Sequence, residues 1–260
     1  MMKITKNNNL FFIIGFSIAL TIVILFIFIY KGTNEGFGDN QILFLSKEES
    51  QAFMKNDEDN YIRNLSIYDL RARKVKTNEE YLMIAINSCL DFNETQKEKL
   101  KICCKEAVKF FNNNYNWTFA LTNNNYEEGY PHTRGTIIFI SPMIINFNNN
   151  ELTKTLIHEN IHIYQRYNKT EISNYLNYHS YSISRKRDRN SLIRSNPDLD
   201  EFIYKDKNGN ELIAYYKSEY PKSITDIQLS VVSEEHPFEK MAYEIADNYI
   251  KSLMTKYKNI

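Results

Sequence analysis

Two histidines and a glutamate stand at a spacing that can carry out hydrolysis: His158-Glu159-Asn160-Ile161-His162. On a helix, residues four apart lie one above the other on the same face. The two imidazoles would then point the same way, at the separation a tetrahedral zinc needs if both are to reach it at about 2.0–2.1 Å. Glu159 falls at the margin of that arc, where a carboxylate can meet a water on the metal without displacing it. Zinc with three protein ligands keeps a fourth position for water and lowers its pKa towards about 7. A general base such as Glu159 would take the proton and later hand one to a leaving amine. With five histidines in 260 residues, the pattern H-E-x-x-H arises by chance in on the order of one chain in a hundred.

A helix must carry this motif, and Glu151 to Arg166 reads as one, entered through the Asn148-Asn149-Asn150 run that can supply an N-cap. At 100° per residue, Leu152, Leu156 and Ile163 share one side and Ile157, Ile161 and Tyr164 the next, which leaves His158 and His162 together on the remaining arc. A third ligand is sought on a second helix opening at Pro237, a residue favoured in the first turn. There Ala242, Ala246, Tyr249, Ile250 and Leu253 form the apolar arc and Glu239 falls inside it. Glu244 lies with Lys240, Asn248 and Lys251 on the polar side. An acid facing the core needs a partner, and a metal is one, an Arg or Tyr another. Glu239 is therefore the candidate third ligand, with Glu244 as the alternative.

The two motifs together resemble the gluzincin-type zinc metallopeptidases, in which a ligand Glu in an E-x-x-A context, here Glu239-Lys240-Met241-Ala242, completes the site. The stretch His236-Pro237-Phe238-Glu239-Lys240-Met241-Ala242-Tyr243-Glu244 is similar to that of small metallopeptidase-like proteins of large DNA viruses and algae. The resemblance runs from about Leu43 to the C-terminus and rests on these two motifs. It implies a zincin-like α+β fold, one Zn2+ per chain and a peptide or protein substrate. It also implies that the strand before the active helix, Gly135 to Ser141, is an edge on which an extended peptide could lie; the other reading of that strand is a plain core strand. In thermolysin-like relatives an Asp follows the ligand Glu and orients a zinc-bound His. Tyr243 stands at that position here, so the supporting partner of His158 is unassigned. An oxyanion would want a Tyr, His or Arg donor, for which Tyr178, His179, Tyr181, His236 and Tyr243 are candidates. The alternative to a peptidase is a zincin-like domain that binds without turnover, or a structural membrane protein.

The surrounding elements predict an α+β domain, mostly helical with a small mixed sheet. Ser46–Ile62, Ser66–Val75, Asn78–Leu90 and Thr95–Phe111 read as helices, the last through a Thr95-to-Glu98 capping box. Trp117–Leu121 and Gly135–Ser141 read as strands. Phe202–Lys205 and Glu211–Tyr216 read as a hairpin about an Asn208-Gly209 turn.

Ahead of this domain, Leu10 to Tyr30 is uncharged and almost wholly apolar, and about 20 such residues are what a helix needs to cross a bilayer. It is too long for a signal-peptide core and no A-x-A-like cleavage site follows. The expected organisation is a tail at 1–9, a transmembrane anchor at 10–30, a polar linker at 31–44 and one domain at 45–260. Lys3, Lys6 and the amino terminus precede the span while Lys31, Glu35 and Asp39 follow it. The positive-inside bias thus points to a cytoplasmic N-terminus with the domain on the opposite side. Zero formal net charge removes the electrostatic footprint of a nucleic-acid binder. Three cysteines, with none in a C-x-x-C spacing, read as buried thiols, with a Cys89 bridge to Cys103 or Cys104 left open.

Overall fold

The computed structural model describes residues 41–230 and 235–258. The anchor expected at 10–30 and most of the linker lie outside them. None of the described helices is long and apolar enough to cross a membrane.

A five-stranded mixed sheet carries the domain. Its strands are β1 (Ile42–Phe44), β2 (Cys89–Leu90), β3 (Trp117–Thr122), β4 (His132–Arg134) and β5 (Ile137–Ile140). β3 pairs in parallel with β1 and β5, and antiparallel with β2; β4 turns back antiparallel on β5. Ile42–Phe44 is thus part of the sheet, although the sequence placed those residues in the linker. Side chains alternate between the two faces of a strand, and both faces here are covered. Trp117, Phe119 and Leu121 of β3, with Ile138 and Ile140 of β5, enter one core; Ala120 and Phe139 enter a second.

The first core is roofed by three helices: α4 (Glu94–Phe110), α6 (Asn149–Tyr167) and α8 (Pro237–Lys258), with α6 packed between the other two. The second is covered by α1 (Lys47–Asn56), α2 (Ile67–Ala72) and α3 (Asn78–Ser88). Two shorter helices, α5 (Pro142–Ile145) and α7 (Lys169–Tyr178), flank α6 in sequence. A three-stranded sheet of β6 (Ser182–Lys186), β7 (Phe202–Lys205) and β8 (Glu211–Leu212) follows, then a two-stranded one of β9 (Ala214–Tyr216) and β10 (Ile227–Leu229).

The predicted helix Ser46–Ile62 is broken, and the cause is Asp57. Its backbone is left-handed, with φ 44°, and its buried carboxylate accepts the N–H groups of Ile62 and Arg63 while pairing with Arg134. The cap of α4 is Asn93, two residues before the predicted Thr95, because Asn93 and Gln96 satisfy each other's backbone N–H groups instead. The strand predicted at Glu211–Tyr216 divides between two sheets; only β8 closes the hairpin on β7. The strand expected as an edge before α6 is not one: β5 lies between β3 and β4, and the edge is β4. That strand has three residues and turns back within Gly135-Thr136, too short to show a period in sequence. The three cysteines are buried free thiols, with Cys89 in a strand.

Candidate metal centre

α6 begins where Asn148 accepts the N–H of Glu151, and buries Leu152, Leu156, Ile157, Ile161 and Ile163 against the sheet and its neighbour helices. That packing leaves His158, Glu159 and His162 turned towards α8. α8 is capped by His236, whose Nδ1 accepts the Phe238 N–H and whose carbonyl accepts that of Lys240. Ala242 and Ala246, both fully buried, bring α8 close to α6, so Glu239 in its first turn reaches the histidines.

The three donors converge. His158 Nε2 and His162 Nε2 are 3.1 Å apart, and Glu239 Oε2 lies 3.3 Å from the first and 3.8 Å from the second. A tetrahedral ion with ligand bonds of about 2.0–2.1 Å has ligands about 3.3 Å from one another. Among the described residues this trio forms the one metal-ready cluster of His, Cys, Asp and Glu.

Neighbouring side chains aim these atoms. Gln165 donates from Nε2 to the Phe238 carbonyl at 2.9 Å, so its Oε1 is left to accept from His162 Nδ1, also at 2.9 Å. The proton of His162 is thereby placed on Nδ1 and the lone pair of Nε2 faces Glu239. Asn196 donates to Glu239 Oε1 at 2.9 Å, leaving Oε2 for the histidines. Two imidazole nitrogens and a carboxylate oxygen aimed at one point form a donor set that a cation between them would satisfy. Tyr243, at the position of the supporting Asp, does not replace it: its ring lies 4.6 Å from that of His158.

Glu159 is buried, and its Oε2 has no hydrogen-bond partner among the described residues. Burial, then the charges of Asp198 and Glu239, push its carboxyl well above the usual range. A bound dication would supply the missing opposite charge. Glu239 is also pushed up by burial, but the two histidines and Arg194 more than reverse this and hold it well below that range. Burial depresses His162, keeping it neutral as a ligand must be. The donor set of two His and one Glu, with an orphaned carboxylate oxygen beside it, fits zinc.

A cavity of about 610 Å³ opens on this cluster, lined by His158, Glu159, Glu239 and Tyr243 together with Tyr130, Pro131, His132, Phe147, Asn196, Pro197 and Asp198. Burial first, then the nearby carboxylates, raises the Tyr243 phenol to about 12, so its hydroxyl keeps its proton as a donor at neutral pH.

The other expected donors are elsewhere. His236 packs between Tyr204 and Phe238 as the α8 cap and faces Asp200. His179 ends α7 among Tyr175, Tyr178 and Tyr181, none of which lines the cavity. Glu244, the alternative ligand, accepts from the Tyr175 hydroxyl instead. Gln165, Asn196 and Asp198 were not singled out by sequence. Gln165 had a signal, since three residues beyond His162 is the same helix face. Asn196 and Asp198 arrive on a loop and had none.

Comparison with protein-family models, with curated proteins and with solved structures finds no match to this chain.

Proposed function

We propose that this chain is a zinc-dependent peptidase of the gluzincin type. The carrying observation is the convergence of His158, His162 and Glu239 with the unpartnered Glu159 carboxylate beside them. Zinc bound there would polarise the scissile carbonyl and acidify the attacking water. Glu159 takes a proton from that water and passes one to the leaving nitrogen as the C–N bond breaks. Tyr243, protonated and at the cavity wall, donates to the oxyanion. Gln165 and Asn196 hold the ligand set in register. The apolar segment 10–30 would tether the enzyme to a lipid bilayer, with the domain on the side opposite the N-terminus.

The test is a peptide-library digest with the purified chain, alongside metal analysis. Wild type is expected to hold one zinc per chain, and Glu159→Gln to keep that zinc while losing about 10²–10⁴-fold in turnover. Cleavage retained in Glu159→Gln would sink the mechanism. A reading as a binder without turnover draws on Tyr243 in place of an Asp; stoichiometric zinc with no cleavage of any library member would favour it.

A further inference from the structure

An extended peptide binds a sheet by adding a strand to its exposed edge, using the outward N–H and C=O groups of alternate residues. The edge nearest the metal centre is β4, and its outward groups are already taken. Thr133 donates its N–H to Asp198 Oδ1 at 2.6 Å, and its carbonyl accepts from Arg166 Nη2 at 3.0 Å. Two residues on, the Gly135 carbonyl accepts from Arg166 Nη1 at 3.4 Å. Two residues back stands Pro131, which has no N–H to offer. The loop that makes this plug, Asn196 to Asp198, also lines the cavity, so the covered edge stands behind one wall of it. Its rim elsewhere carries the half-exposed rings of Tyr130 and Tyr243.

The chemistry of that wall is uneven. Arg166 donates both Nη groups to protein oxygens, those of Thr133, Gly135 and Pro197, and its Nη2 lies 4.0 Å from Asp198 Oδ1, a loose ion pair that leaves Oδ2 aside. Asp198 is only 8 % exposed, and its Oδ1 takes both the N–H and the hydroxyl of Thr133. Its Oδ2 has no hydrogen bond among the described residues, and Asp198 lines the same cavity as Glu159. A carboxylate oxygen that opens on a cavity and holds no hydrogen bond accepts a donor, and a cationic donor best.

We infer that the site takes the amino terminus of a peptide: the free α-ammonium lodges against Asp198, the scissile bond lies at the metal centre, and the remaining chain leaves over Tyr130 and Tyr243. This rests on the peptidase reading above. Water adds across the amide, OH to the carbonyl carbon and H through Glu159 to the nitrogen, and a short amino-terminal fragment departs.

The experiment compares one decapeptide in four forms, with free ends, N-acetylated, C-amidated and doubly blocked, incubated with the zinc-loaded full chain and mapped by mass spectrometry. N-acetylation is expected to lower kcat/KM by about tenfold or more while C-amidation leaves it unchanged, with fragments leaving from the amino end. Internal cleavage of the doubly blocked peptide at the rate of the free one overturns the inference and leaves the peptidase reading intact. If no form is cleaved, the library digest above decides the peptidase reading, and binding of the four forms to zinc-loaded Glu159→Gln decides the inference. Binding weakened about tenfold by N-acetylation keeps it; binding indifferent to acetylation, or none, overturns it. Asp198→Asn retains an acceptor for Thr133 and loses the charge. It is expected to raise KM for free-ended peptides about tenfold with a smaller change in kcat, and an unchanged KM counts against the assignment.

Discussion

Gln165 bridges the two halves of the metal centre through one amide, accepting from His162 and donating to the backbone next to Glu239. Its loss frees the imidazole to rotate or to move its proton to the coordinating nitrogen. Gln165→Ala is therefore expected to weaken zinc binding by about 10–100-fold, read by competition with a chromogenic chelator. Gln165→Glu, which keeps the acceptor, should recover most of that affinity. An unchanged affinity in Gln165→Ala would remove its positioning role. At this scale the sequence was most informative, since helix phasing alone put His158, Glu159 and His162 on one face and chose Glu239 over Glu244. Phasing reports which residues share a side of one helix. It carries nothing about Asn196 or Asp198, which meet the site from a loop more than thirty residues away in sequence.

Between elements, the close approach of α6 and α8 decides whether Glu239 reaches the histidines, and it depends on Ala242 and Ala246 having no bulk. Ala242→Leu should cost about 1–3 kcal/mol by overpacking and push Glu239 away, so zinc affinity is expected to fall together with Tm. Full zinc affinity in that variant would mean the first turn of α8 is not held by this contact. The second core has its own polar anchor. Arg73 pairs with Glu127 at 2.7 Å, both nearly buried, and Glu127 also accepts from the Tyr61 and Tyr81 hydroxyls. Burial pushes the Glu127 carboxyl up, but Arg73 and these hydrogen bonds bring it below its ordinary value. A carboxyl that titrates lower folded than unfolded, near 4.3, stabilises the fold fully above that pH, and the stabilisation fades as pH falls through the folded value. Glu127→Gln leaves Arg73 buried without its counter-charge and should cost about 3 kcal/mol or more near neutral pH. The gap to wild type, followed by thermal unfolding, is expected to be constant from about pH 8 to 5 and to shrink below about pH 4. A gap that stays constant into acid would show that the pair is not the source of the stability.

Over the whole described domain, the cluster of His158, His162 and Glu239 is the point where α6 and α8 meet each other and, through Asn196 and Asp198, the loop over the sheet edge. Zinc bound there would therefore add to the stability of the native state. Zinc at about a thousand times its dissociation constant should add about 4 kcal/mol, and chelation should lower Tm in a manner reversed by added zinc. A Tm indifferent to chelator in a chain shown to bind zinc would mean that the ligand set is equally formed without α8 in place. Sequence alone determined the parts that depend on local order: the phase of the two helices, the Asn run that caps the first and Pro237 that opens the second, the β-branched strands and the three ligand candidates. It could not reach what depends on contacts remote in the chain. The tertiary structure decided that Asp57 breaks the first helix by pairing with Arg134, that β4 rather than β5 forms the edge, and that Asp198 and Arg166 close that edge. The first and last of those outcomes join a residue to a partner tens of positions away, and no period or spacing records which distant group will satisfy a buried charge or an open backbone bond; the second turns on a strand too short to show a period.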